Sequence, residues 1–193
     1  RAVMQAAAKH LTPVVLELGG KNPTIVAADA DLSVAARRIL WGGMMNAGQQ
    51  CIRPDYVLVE RSVEEELLRH LKRWAKTMYG SEDGGGEAKG GVRPRDQVGR
   101  IINARHMQRL TKLIDQVKGG GGRSSGDEII VGGQYEAESR YIAPTVLRVG
   151  RDSPTMEEET FGPIVLVCAV DSIEEAVQHV NARPKPLALY IFS

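Results

Sequence analysis

The sequence predicts an α/β fold, a mostly parallel, doubly wound sheet with flanking helices. Three observations carry that expectation. Short apolar, β-branched runs alternate with amphipathic helical stretches through much of the chain, the order that lays helical crossovers on the faces of a parallel sheet. The run IVLVCAV, Ile164 to Val170, is apolar throughout, as a strand covered on both faces is. Ser and Asp residues stand where helices should open.

The elements follow in order. RAVMQAAAKH has alanine-rich helical character and must stop by Thr12-Pro13, because a residue before proline is pushed out of the helical region. PVVLEL, residues 13–18, reads as a strand closed by Gly19-Gly20, and NPTIVAA as a second strand running into Asp29 and Asp31. Either aspartate suits the cap of a helix over 32–46. YVLVE, residues 56–60, is the next strand. Ser62 with Glu65 reads as a capping box opening a helix to Tyr79, and Ser172 with Glu175 as another opening SIEEAVQHV. A third helix is expected between them, over 95–117. Further strands are expected over 129–131, 141–149, 164–170 and 187–192. Two glycine-rich patches, GSEDGGGEAKGG and KGGGGRSSG, lack a phosphate-cradling spacing and read as flexible surface loops.

With 193 residues and a formal charge of +1, the chain suits one substantial domain without the basic field that nucleic acid or an anionic membrane surface requires. No apolar run approaches the roughly 20 residues of a membrane span, so no membrane contact is expected from this segment. Two cysteines make no disulfide framework, and no signal peptide opens the chain, which points to a reducing intracellular, cytoplasmic setting. The chain opens at Arg1 and stops inside a strand-like YIFS, as a piece of a longer protein does.

The chemistry concentrates in three stretches. Cys168 lies inside the apolar run and reads as a small buried hydrophobe. Cys51, in NAGQQCIRPDY, has polar, turn-like surroundings that permit a reactive thiol, which needs accessibility and backbone N–H groups or a cation to hold its charge. Glu17 reads two ways: a strand-end carboxylate facing solvent or paired with Lys21, or a partly buried general base with a raised pKa. In EEETFGP, residues 157–163, two of the glutamates fit a solvated face, while one beside Phe161 could take two sugar hydroxyls. His10, His70, His106 and His179 have no metal-ligand spacing and read as structural or exposed, so no metal is expected.

Together, LELGGKNP, then a cysteine 34 residues after its glutamate (51 − 17), then EETFGP, resemble the aldehyde dehydrogenase superfamily. CIRPDYVLV, RIINARHMQRL, YIAPTVL and KPLALYIFS resemble its class 3 branch, which handles medium- and long-chain aliphatic and aromatic aldehydes. The resemblance implies that Cys51 is the nucleophile and that its backbone N–H helps to hold the oxyanion. It implies further that Glu17 is the general base, that Glu159 binds the nicotinamide-side ribose, and that Phe161, Leu18 and Gly19 lie near the nicotinamide of NAD or NADP. By the same resemblance, residues 1–21 are the end of the dinucleotide-binding domain and 22–193 the catalytic domain, truncated at its C-terminus. Most of the cofactor domain, an oxyanion-hole asparagine and the segments that build a homodimer then lie outside these residues, and the chain by itself should be inactive or nearly so. Two rivals remain open: a CoA-acylating relative, which Glu17 speaks against because water needs a base, and a non-catalytic scaffold or lens-type relative.

Overall fold

A computed structural model describes residues 1–80, 96, 98–119 and 126–193. The glycine-rich patches lie almost wholly outside these, and the loop reading made for them with it. The described elements are helix α1 (Ala2–Ala8), β1 (Pro23–Val26), α2 (Leu32–Met44), β2 (Tyr56–Glu60), α3 (Glu64–Tyr79), α4 (Ala104–Lys118), β3 (Glu128–Val131), β4 (Tyr135–Glu136), β5 (Tyr141–Ile142), β6 (Thr145–Arg148), β7 (Ile164–Val170), α5 (Ile173–Asn181) and β8 (Tyr190–Phe192).

Six strands form one sheet in the order β3-β6-β7-β2-β1-β8, parallel except where β3 meets β6, and β4 with β5 makes a separate antiparallel pair. The strand period of two divides the core. Tyr56, Leu58, Leu147, Ile164, Leu166 and Cys168 face a layer that includes Met107, Leu110, Ile114 and Val117 of α4 and Ala176 of α5. Val57, Val59, Val146, Val165 and Val167 face the opposite layer, with Ile39 and Leu40 of α2 and Leu67 and Leu71 of α3. Helices therefore cover both faces, the doubly wound arrangement expected. The caps act as the sequence indicates at two ends: Asp31 accepts from Val34 N–H and Ser172 from Glu175 N–H.

Five expectations need correction. Pro13–Leu18 is not a strand; no described strand lies beside it to supply a ladder, and Val15 is 95% exposed. Ser62 does not cap α3, because a 3-10 turn over Arg61–Val63 moves the helix start to Glu64. The third helix begins at Ala104, where extended Asn103 accepts from His106 N–H; before it, Ile101 N–H is held by the Arg140 carbonyl and Ile102 N–H by Gln49 Oε1. The run 141–149 breaks at Ala143-Pro144 into β5 and β6, and the final strand is confined to Tyr190–Phe192.

Candidate active site

The three motifs meet at the amino ends of β1, β2 and β7. Asn22, fully buried just before β1, ties them at the backbone level. Its Nδ2 donates to the carbonyls of Cys51 and Arg53, both at 2.9 Å, and its Oδ1 accepts from Leu187 and Ala188 N–H at 3.1 and 2.9 Å. Tyr190 Oη donates to the Ile52 carbonyl at 2.5 Å. The peptides that follow Cys51 are thus fixed while the residue itself is exposed, as its polar surroundings indicate. Cys168 is buried in β7, and burial pushes its thiol up to about 11.

The turn that delivers Cys51 is left-handed. Asn46, Ala47 and Gly48 have φ of 52°, 53° and 68°. Gln49 holds it in place, donating from Nε2 to the Asn46 and Arg100 carbonyls at 3.2 and 3.0 Å. A Cβ on Gly48 would stand 2.0 Å from the Gly162 carbonyl oxygen, so the cysteine loop and the ETFGP loop touch backbone to backbone. Phe161, half-buried, also has a positive φ, 48°. Non-glycine residues rarely adopt this region, and such outliers concentrate at functional sites.

Beneath the surface lies a charged cluster. Asp55, fully buried, receives Lys21 Nζ at 2.7 Å, Thr160 N–H at 2.8 Å and Thr160 Oγ1 at 2.6 Å, with Arg53 Nη1 3.5 Å away. Arg53 is buried as well, and donates to the Gly43 and Ile164 carbonyls rather than toward the thiol. Burial works to raise the Asp55 pKa, but the Arg53 and Lys21 charges and the hydrogen bonds from Lys21 and Thr160 win and hold it below 3.8. Lys21 and Arg53 are both lowered, chiefly by desolvation.

Glu159 is half-buried, with its carboxylate against Gly19: a Cβ there would be 3.1 Å from Oε2. Its Oε1 is buried without a partner among the described residues. Desolvation raises its pKa above 4.5, against the opposing pull of the Gly20 amide. It lines a cleft of about 170 Å³ with Gly20, Lys21, Tyr56, Arg183 and Lys185. Glu157 and Glu158 are exposed, as a solvated face requires.

Gly19, Cys51, Glu159 and Phe161 therefore fall on segments that touch. Glu17 and Leu18 do not join them through any described contact. Glu17 is exposed rather than partly buried, its expected alternative partner Lys21 being taken by Asp55, and Leu18 is 66% exposed. Asn22, Arg53, Asp55 and Thr160 join the site without having stood out in the sequence. The available signal was two opposite charges, Arg53 and Asp55, flanking a proline directly before a buried strand.

Fold and site define a class: a doubly wound α/β domain that presents one exposed cysteine just after a left-handed turn, on a loop packed against the loop that bears a desolvated carboxylate. The family model "Aldehyde dehydrogenase family" matches residues 1–193. The chain is 50% identical to the "Aldehyde dehydrogenase, dimeric NADP-preferring" of Rattus norvegicus, covering all of this chain and 39% of that protein. It is 40% identical to the "4,4'-diaponeurosporen-aldehyde dehydrogenase" of Staphylococcus aureus, again covering all of this chain and 39% of that protein. Among solved structures, the substrate-bound state of Staphylococcus aureus AldH superposes with a TM-score of 0.86 at 40% identity, covering all of this chain and 38% of that one. The chain belongs to the aldehyde dehydrogenase family and spans about 39% of the length of such relatives.

Proposed function

We propose that the chain carries the nucleophile of an NAD(P)-dependent aldehyde dehydrogenase that oxidises a small-molecule aldehyde to a carboxylic acid. The observation that supports this most is the exposed, unbridged Cys51, with the two peptides that follow it held by Asn22 and Tyr190. Cys51 Sγ, as thiolate, adds to the aldehyde carbon to form a thiohemiacetal, and the Cys51 N–H donates to the oxyanion. NAD or NADP, when bound, supplies the hydride acceptor that lets the adduct become a thioester on Cys51. Glu17 takes a proton from the water that attacks the thioester, so that the acid leaves and the thiolate returns.

The residues present fit such a cofactor. The unpartnered, buried Oε1 of Glu159 is an acceptor seeking hydroxyl donors, and the missing side chain at Gly19 is what lets that carboxylate lie against the backbone. Leu18 and Phe161 are assigned to the nicotinamide side with Gly19. Glu17 is exposed in this chain, so on this reading the surface that shields it comes from outside these residues. Residues 1–21 then form the end of the cofactor domain and 22–193 the catalytic domain, and the full-length enzyme is a homodimer. The 193 residues alone then perform thiol chemistry without NAD(P)-dependent turnover.

The test is hydrolysis of a nitrophenyl ester, which needs the thiol but no cofactor. Cys51→Ala should lower turnover at least about 100-fold, and Cys168→Ala should leave it within about twofold. Equal turnover with and without Cys51 overturns the assignment. In the full-length protein, release of free acid rather than acyl-CoA when CoA is present separates hydrolysis from acyl transfer to CoA.

A further inference from the structure

Asp55 has more partners than a buried ion pair needs. Through Lys21 it holds the residue directly after the Gly19-Gly20 turn, and Lys21 Nζ also donates to the Glu158 carbonyl at 2.8 Å. Through the Thr160 amide and hydroxyl it holds the residue directly after Glu159. Its own backbone N–H donates to the Asn22 carbonyl at 3.0 Å, and the same Asn22 holds the Cys51 carbonyl. Arg53 stands behind it and anchors the set to the end of α2 and the start of β7. One carboxylate thus connects the three segments that bear the reacting and binding groups.

We propose that Asp55, backed by Arg53, is a positioning residue that fixes Glu159 and the Gly19-Gly20 turn at one spacing from Cys51. This rests on the function proposed above for those three positions. Asp55 touches none of the reacting atoms and acts through Thr160 and Lys21. Two cations share this carboxylate in a dry site, so Asp55→Asn leaves buried charge uncompensated and is expected to impair folding.

Thr160→Val is the discriminating variant. It removes the hydroxyl's bond to Asp55 and the bond it accepts from Lys21 Nζ at 3.3 Å, both within the cluster. It keeps the backbone amide, while Arg109 still donates to the Glu159 and Thr160 carbonyls at 3.3 and 2.6 Å. Three quantities are measured in the full-length protein: hydrogen exchange of segment 157–163, the KM for NAD(P)+, and alkylation of Cys51 by iodoacetamide without cofactor. Thr160→Val should raise the exchange rate and the KM by roughly tenfold each, with alkylation within about twofold, and Thr160→Ser, which retains the hydroxyl, should restore both. Unchanged exchange and KM in Thr160→Val, equal losses in Val and Ser, or a parallel fall in alkylation overturns the proposal. If the wild-type protein oxidises no aldehyde, the functional reading falls, whereas the exchange rates and the serine rescue still decide the positioning claim.

Discussion

His179 shows how a single side chain writes a pH dependence into the chain. It sits on α5 with its ring edge-on to Tyr56, centroids 5.8 Å apart, and its Nε2 is buried without a partner among the described residues. Desolvation first, then the charges of Arg183 and Arg151, lower its pKa below 6.5, against weaker opposition from Asp152 and Glu175. Between the folded-state value and 6.5, the unfolded chain holds a proton that the folded chain refuses. The stability His179 contributes is therefore present above that pH and lost as pH falls from it toward the folded-state value. Glu159 acts with the opposite sign, since its raised pKa lets the folded state take a proton first. Comparing wild type with His179→Gln separates the two. The wild-type Tm should fall more steeply between pH 7.5 and pH 5.5 than that of the variant, and parallel profiles from thermal melts at the two pH values would remove His179 from the account.

At the scale of elements, what could be read in advance divides by what each element depends on. Strand β7 and helices α2 and α5 carry their signal within themselves, as an unbroken apolar run or a cap with its periodic face, and the sequence marks them well. Pro13–Leu18 has the composition of a strand, but a strand exists only with a neighbour, which sequence pattern does not supply. Cys51 was legible because polar, turn-forming residues surround it; Arg53 and Asp55 were not, because charged residues are expected at the surface and only the assembled cluster explains their burial. Asparagine tolerates the left-handed region, so Asn46 carries some signal of its own, but nothing marks Ala47 except the glycine that follows. That turn carries a sharp expectation. A methyl at position 48 must adopt a φ of 68° and displace the Gly162 backbone, so Gly48→Ala should cost about 3 kcal/mol, lowering Tm by roughly 10 °C, from combined strain and overpacking. Gly99→Ala is the control, since its Cβ would meet Ala47 at an ordinary 3.5 Å, and a denaturation series that ranks the two variants equally contradicts this account of the turn.

Across the whole molecule, the candidate site occupies the less usual end of a parallel sheet. In open α/β sheets ligands gather outside the carboxyl ends of the strands, yet Asn22, Asp55 and Gly162 stand at the amino ends of β1, β2 and β7. The carboxyl ends instead carry arginines already matched with acids: Arg61 with Asp171, Arg148 with Glu64 and Arg151 with Glu175. The site therefore opens where Gly19 and Gly20 leave the sheet, beside the part of the chain that packs least. Helix α1 buries no residue, the hydrogen bonds around its end are local, such as Thr12 N–H to the Ala7 carbonyl, and Leu11 and Val15 are more than nine-tenths exposed. From the glycine pair onward, partial burial begins at Gly20 and is complete at Asn22. Residues 1–18 thus add exposed apolar surface to the 193-residue chain without contributing to its core, and such surface promotes association. Deleting them should leave Tm within about 2 °C and the denaturant m-value nearly unchanged, because surface changes of this kind fall within roughly 0.5 kcal/mol. The same deletion should reduce light scattering on concentration. A Tm loss beyond about 5 °C would mean that these residues support the core, and would move the proposed boundary near residue 22 toward the amino end.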